Sequence, residues 1–454
     1  MILRRPVWAV HVFVVGLALH NFVMAELWDA GIHGDALDVV SAWKDALLLV
    51  CLVAVWVRVW RTFDWRLVDV LALGYAAIVV VWSILPQHWL DGLATHRGIV
   101  LGAREDLIPV GAYFLGRGLA LTERELRRIG ATIVATAVGL AVFGLVDIFA
   151  IPLSWWRGSG APGWFHYQLG FSYAGLSHLP QNFVYNTGNG HVYRRLISTF
   201  LSPLATSYVF VVALLLAVAW LVRRRPSLLV WIPTVAVILA GLLWTHSRSS
   251  ELALVLGLCA FALVRRSLRL PVAASCVVVL VLALVFVKAY PHVAPKTSFT
   301  TQEIAVQDKI AKQTGKPAES GFTDSSISSH WASLKAGVAN VVHHPQGFGV
   351  GNSGSTAART GVPLETGEST YTQLGSDAGI VGALLFIAWS LVLVRIVLPC
   401  TAWVGASFVA VLALALQTDV LGVPWLAVVL WILGGAVVTS ALARRLETRP
   451  SYQE

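Results

Sequence analysis

The chain has 454 residues, 57% of them hydrophobic and 13% charged, with a mean hydropathy of +0.73. A soluble globular chain carries charge on about a quarter of its residues, so the composition excludes that class and predicts an all-α polytopic membrane protein. The net charge of +9 does not point to nucleic acid, because the basic residues cluster in alternate connections between apolar stretches.

A spanning helix needs roughly 20 mostly apolar residues, and about twelve stretches qualify. In chain order they fall near 7–25, 43–60, 68–85, 98–120, 129–151, 201–222, 228–245, 249–264, 270–290, 371–395, 400–418 and 424–443. The opening "MILRRPVWAVHVFVVGLALHNF" has no small-x-small cleavage site and is followed by many more spans, so it reads as an uncleaved first helix. With the N-terminus cytoplasmic, Arg4, Arg58, Arg61, Arg117, Arg127, Arg223, Arg265, Arg395, Arg444 and their basic neighbours all fall on the inner side, as the positive-inside rule requires. Both termini are then cytoplasmic.

The expected organisation is membrane helices 1 to 5 in 1–151, a first outer loop at 152–200 and helices 6 to 9 in 201–290. A large outer loop follows at 291–370, then helices 10 to 12 in 371–443 and a cytoplasmic tail at 444–454. Cytoplasmic connections are short, so loop chemistry belongs outside. No GxxxxGK[ST] or DxD sequence occurs, and a nucleotide substrate is not expected. Cys51, Cys259, Cys276 and Cys400 lie within or at the ends of apolar runs without CxxC spacing and read as packing residues. No metal site and no cofactor is read from the sequence.

The first outer loop is dense in Trp, Tyr, Phe, Gly and Asn. Aromatic faces suit a membrane interface belt, the preferred reading for any single one, and also the apolar faces of sugar rings. In the second loop Ile327, Trp331, Leu334, Val338 and Val341 recur at helical spacing before Pro345 opens a Gly-rich turn. That amphipathic helix is expected on the outer face of the bundle or at the lipid interface. The lysines from Lys296 to Lys316 suit a solvated hairpin or helix pair.

Arg195, with Arg194 beside it, precedes the sixth span, and Arg248 lies in the short outer turn "THSRSS". A single arginine at a helix end snorkels. Two facing one outer cavity would present planar paired donors to phosphate oxygens near low-dielectric lipid. A phosphate joined to both lipid and sugar is a polyprenyl pyrophosphate glycan, which is the ligand this chemistry suggests. In the fourth span Arg104 is expected to pair with Asp106 or Glu105, or to join the same anion site.

Four local patterns, in order, resemble one family: "RLISTFLSPLATSY", "LLWTHSRSSELAL", "HHPQGFGVGNSG" and "ESTYTQLGSDAGIVGALLF". Together with the span pattern they resemble the O-antigen ligase and polysaccharide polymerase superfamily, of the glycosyltransferase C type, over roughly 98–443. The resemblance implies metal-independent, inverting transfer of a glycan from undecaprenyl pyrophosphate to an acceptor hydroxyl on the periplasmic side of a bacterial cytoplasmic membrane. Its partners would be the lipid-linked donor, a glycan or lipid-linked acceptor and membrane lipids, with no nucleic acid and no nucleotide. It implies that Arg195 and Arg248 bind the departing pyrophosphate, with Arg104 and Arg194 as further candidates. Ser202 stands where the family usually has Asn, and Ser249 where it usually has Gly.

Gly379 and Gly382 fit the family's Gly-x-x-Gly, and Ser369 fits, but the ligase histidine position is Glu368. A carboxylate can take the proton of an attacking sugar hydroxyl as an imidazole can, so Glu368 is the first candidate for general base. The structural alternative is a carboxylate near a helix N-terminus. His344 and His343, which abut the Gly turn, are second candidates, with His330 behind them. Asp377 occupies a position that is often acidic in the family and suits a structural role. Loss of the ligase histidine favours a polymerase over a ligase that uses lipid A core. A lipid-linked oligosaccharide transporter or flippase is the non-enzyme alternative, disfavoured by the outer position of the unusual charges and by the absence of repeated halves.

Overall fold

The computed structural model describes residues 5–187, 191–224, 227–314, 327–362 and 369–447. The first half runs through α1 (Val7–Asp29), α2 (Asp35–Ser41), α3 (Trp43–Val59), α4 (Leu67–Ile84), α5 (His96–Leu119), α6 (Glu123–Ala150) and α7 (Leu153–Gly158). After β1 (Val184–Asn186) and β2 (Val192–Arg194) come α8 (Pro203–Arg224), α9 (Leu228–Trp244), α10 (Arg248–Val264) and α11 (Arg269–Val293). The outer region continues with β3 (Lys296–Thr297), α12 (Thr301–Thr314), α13 (Ile327–His343) and α14 (Gly354–Thr360). The chain closes with α15 (Thr370–Cys400), α16 (Ala402–Leu414), a π-turn at Leu426–Leu430 and α17 (Trp431–Glu447).

Each of the twelve apolar stretches carries helix, as expected where backbone groups must be satisfied within their own segment. Among the described residues, length and apolarity single out six helices able to cross a membrane: α1, α4, α6, α8, α11 and α15. The bent pair α2 and α3, 42° apart, makes a seventh if counted as one span. The expected count of twelve is therefore met only in part. The 13 residues of α16 rise about 20 Å, short of a hydrocarbon core about 30 Å thick, and α5 carries Arg97, Arg104, Glu105, Asp106 and Arg117 along its length. The protein is a mostly helical, multi-pass membrane protein.

The core lies where α5 and α17 touch, with α4 and α15 packed beside them; its large buried side chains include Tyr75, Tyr113, Phe386, Trp389, Trp425 and Trp431. A Cβ on Gly116 would sit 2.0 Å from the Ile432 carbonyl oxygen, so only glycine lets these two backbones meet. Arg117, counted above with the inner basic residues, is instead buried. It donates two hydrogen bonds to Asp69, at 2.8 and 2.9 Å, and lies over the Phe63 ring. Its charge is spent on an internal pair rather than on lipid headgroups.

The two long outer connections are joined. β1, β2 and β3 form one antiparallel sheet, with Val184 opposite Arg194 and Tyr193 opposite Lys296. Arg157 of the first connection forms a 2.8 Å ion pair with Glu303 of the second. Many aromatics of the first connection are packing residues: Trp156, Trp164, Phe165 and Phe183 form a separate apolar cluster with Met24 and Ala25 at the far end of α1. The amphipathic α13 lies against α15, with Gly337 facing Thr372 and Val341 facing Gly375. Leu334 and Val341 turn partly inward while Trp331, Val338 and Val342 are exposed, so its apolar residues divide between two faces. The four cysteines are free; Cys51 and Cys276 are buried and Cys259 is exposed.

Candidate functional site

Two adjacent arginines, Arg194 at the end of β2 and Arg195 just after it, take separate partners. The Arg194 guanidinium turns inward to Asp147, at 3.2 and 3.3 Å, and to the Ile151 carbonyl at 2.8 Å. Asp147 also accepts the Trp156 indole N–H at 2.6 Å. Burial pulls Arg194 below its ordinary pKa and Asp147 opposes the shift. Arg194 is therefore an anchor. Its Tyr290-bound carbonyl and its amide, bonded to Pro295 O at 3.0 Å, hold the strand in register.

Arg195 turns the other way. Its Nε donates to Thr245 O at 3.0 Å and its Nη2 to His246 O at 3.3 Å, in the turn that opens α10. The following "ISTF" packs its hydroxyls into neighbouring helix carbonyls: Ser198 Oγ donates to Leu140 O at 2.8 Å and Thr199 Oγ1 to Ala18 O at 2.7 Å. The motif's small hydroxyl residues thus lock the segment carrying Arg195 onto α6 and α1.

Arg248 begins α10. Two residues earlier, His246 is buried and stacks on Tyr290 with ring centroids 4.1 Å apart; Tyr185 tilts against it at 4.5 Å. Burial, then Arg195, then Arg248 push the His246 pKa down to about 3. Both guanidinium charges are thus felt at one imidazole, which stays neutral at physiological pH. Ser247, Ser250 and Ser207 hydroxyls form a chain at 2.9 and 2.7 Å and fix the start of α10 against α8. Position 249 holds Ser where the family has Gly, and its helical place imposes no glycine requirement.

α16 packs along α10, and its far end holds the start of α15. Ser369 is buried, donating its hydroxyl to Ala415 O at 2.9 Å, and Thr370 binds Thr418 O through Oγ1 at 2.9 Å. Gln373 reaches Glu105 Oε1 at 3.2 Å. Glu368 lies outside the described residues, as does the His330 side chain; the residue after Glu368 is thus fixed to the end of a helix that packs on α10.

The Gly-rich turn fits into a break in α15. Gly379 has φ 70° and ψ 174°, a conformation almost confined to glycine. The broken helix frees Ser376 O and Ile380 N, which take Phe348 N at 2.6 Å and Pro345 O at 2.9 Å from the turn. Asp377 then accepts the amides of Gly351 and Asn352 at 3.3 and 3.1 Å. Gly347, Gly349, Gly351 and Gly354 all have positive φ, so this turn wraps its amides around the carboxylate. Asp377 thereby ties the turn to α15.

The remaining candidates are placed elsewhere. Arg104 pairs with Asp45 of α3 at 2.8 Å, not with Glu105 or Asp106. Residues one and two places on in a helix are turned by about 100° and 200°, so neither Glu105 nor Asp106 shares the face of Arg104. Glu105 instead meets Ser355 and Gln373. His343 is exposed and bonded to Ala339 O at 2.7 Å; His344 contacts Asp91 at 3.5 Å, Gln346 and the Phe348 ring. Tyr185, Tyr290 and His246 were not singled out from sequence; only His246, inside "THSRS", carried a local signal.

Residues 233–387 match the family model for O-antigen ligase. The resemblance to the O-antigen ligase and polymerase superfamily is thereby borne out, and that superfamily implies a glycosyltransferase-type enzyme acting on lipid-linked glycans. The O-antigen ligase match runs from within α9 into α15 and includes Arg248, the Gly-rich turn and Gly379; Arg104, Arg194 and Arg195 precede it. No curated protein matches the chain. Among the described residues no cluster of three or more His, Cys, Asp or Glu is arranged to hold a metal ion.

Proposed function

We propose that this protein transfers a glycan from an undecaprenyl pyrophosphate carrier to an acceptor sugar hydroxyl at the outer face of the cytoplasmic membrane, acting as a polysaccharide polymerase. The observation that supports this reading best is that Arg195 bonds the Thr245 and His246 carbonyls of the turn that leads directly into Arg248, the first residue of α10. In the proposed step the acceptor oxygen bonds to the anomeric carbon as the carbon–oxygen bond to pyrophosphate breaks. The bonding pair leaves on pyrophosphate, whose growing charge the two guanidinia stabilise in a site shielded from water. Single displacement inverts the anomeric centre. Arg194 acts through Asp147 as a positioning residue, and Arg104 is tied to Asp45.

Glu368 is proposed as the base that takes the acceptor proton, supported by the fixed Ser369 beside it. His344 and His343 are second candidates. The matched family's description as a ligase supports transfer to lipid A core as a second reading.

The test is purified protein in liposomes with one synthetic polyprenyl pyrophosphate oligosaccharide, its products resolved by mass spectrometry. Lipid-linked species growing by whole repeats are expected. Donor that binds and stays intact until lipid A core is supplied would replace the polymerase reading with the ligase one. Glu368→Gln should slow transfer with little change in donor binding; an unaltered pH–rate profile would move the base to His344 or His343.

A further inference from the structure

A second group of basic side chains meets beside the first connection. Arg97 and Arg104 come from α5, Arg359 from the last turn of α14 and Lys44 from the start of α3. Arg97 Nη2 and Arg359 Nε donate to successive carbonyls, Gln168 O at 3.4 Å and Leu169 O at 2.9 Å, so the two guanidinia are neighbours. Arg104 and Arg97 both act on the Arg359 charge, and Arg104 and Arg359 both act on that of Lys44.

Among the described residues, the carboxylates acting on these charges are Asp45, Asp38 and Glu105, and each is engaged. Asp45 pairs with Arg104 at 2.8 Å, Asp38 accepts Gln168 Nε2 at 2.7 Å, and Glu105 accepts Gln373 Nε2 and Ser355 Oγ, both at 3.2 Å. The hydrogen bonds of Arg97, Arg359 and Lys44 go to neutral groups, Lys44 holding Ser41 O at 2.8 Å and lying 2.9 Å from His20 Nε2. Lys44 is buried and Arg97 exposed, so positive charge runs from the interior to the surface. A phosphate there accepts from both surface guanidinia at once, with the other two cations behind them. Val100, one turn along α5 from Arg97, is exposed and gives a prenyl chain an apolar path.

The cluster lies on the side of the acceptor. Gln373, which holds Glu105, is in the first turn of α15 after the fixed Ser369. α1 links the cluster to the donor arginines: on either side of His20, Ala18 O accepts Thr199 Oγ1 at 2.7 Å and Asn21 Nδ2 donates to Phe200 O at 2.9 Å. Thr199 follows Arg195 by four residues, at most about 14 Å of chain. Two anion sites therefore flank α1.

We propose that Arg97 and Arg359, backed by Arg104 and Lys44, bind the phosphate of a second polyprenyl-linked glycan, the one whose sugar hydroxyl attacks. This rests on the polymerase reading, in which donor and acceptor have the same carrier chemistry. The probe is undecaprenyl pyrophosphate without sugar, counted by native mass spectrometry on the full chain in phosphatidylcholine nanodiscs. The wild type should retain two carriers, and R97Q/R359Q and R195Q/R248Q one each, the second site weakening about tenfold for each guanidinium lost. A wild type that retains one carrier, held equally by R97Q/R359Q, overturns the proposal. If R97Q/R359Q does not fold, R97E at its exposed position replaces it: the same carrier should be released, and retention of both overturns the proposal. Absence of transfer in liposomes, with two carriers bound and one lost in R97Q/R359Q, would refute the transferase reading and leave this site standing. Inorganic pyrophosphate is titrated as competitor; binding that R97Q/R359Q abolishes and the carrier does not displace would make a free anion the ligand and overturn the assignment.

Discussion

Replacing Gly379 by Ala tests the joint between α15 and the Gly-rich turn. The residue has φ 70° and ψ 174°, and forcing a side-chain-bearing residue there costs about 1–3 kcal/mol. A Cβ would also stand 2.7 Å from Gln346 O and 2.8 Å from Pro345 O. Both are backbone atoms that no rotamer change can move. Relief by withdrawing the turn would break the bonds Phe348 N to Ser376 O and Ile380 N to Pro345 O, each worth about 1 kcal/mol net. The expected total is a loss of roughly 3–5 kcal/mol, at the large end for a single substitution. Thermal unfolding in a fixed detergent should show a midpoint several degrees lower, and transfer should fall with it because Ser369 opens the same helix. Gly139→Ala in α6, where a Cβ meets nothing within 4 Å, is the control, expected to be neutral or stabilising by up to about 1 kcal/mol. A Gly379→Ala protein as stable as the wild type would refute the account of the break.

Arg195→Gln and Arg248→Gln should each lower transfer about 10²- to 10³-fold in the liposome assay, and normal turnover would remove that residue from the site. Arg195→Gln should also cost stability, since Thr245 O and His246 O lose a charged donor. His246 titrates near 6.5 when unfolded and is held down to about 3 in the fold, so the unfolded chain binds the extra proton between these values. Its contribution to stability is complete above about pH 6.5 and is lost as pH falls toward 3. His246→Gln should flatten the pH dependence of the unfolding midpoint across that window, and an unchanged slope would contradict the assignment. Asp147→Asn leaves the buried Arg194 guanidinium without its counter-charge and should destabilise by about 3–5 kcal/mol; unfolding at the wild-type midpoint would show the pair to be dispensable.

Apolar runs of membrane length made the helices legible in the sequence, because lipid leaves the backbone no alternative partner. Local patterns also carried the resemblance: "THSRS" before a helix, glycines alternating through "GFGVGNSG", and Gly379 inside an apolar run. The aromatics of the first connection gave no sign of their role, since the same residue types pack a cluster on α1 or, as Tyr185 does, tilt against His246. Only the tertiary structure decided which arginines are spent. Arg117 and Arg194 are consumed by Asp69 and Asp147, Arg104 by Asp45, and Arg195 is turned to the Thr245–His246 carbonyls. Sequence places a charge on the chain, but its partner comes from a helix tens of residues away, and two adjacent guanidinia find theirs on different elements, Arg194 on α6 and Arg195 on the turn before α10.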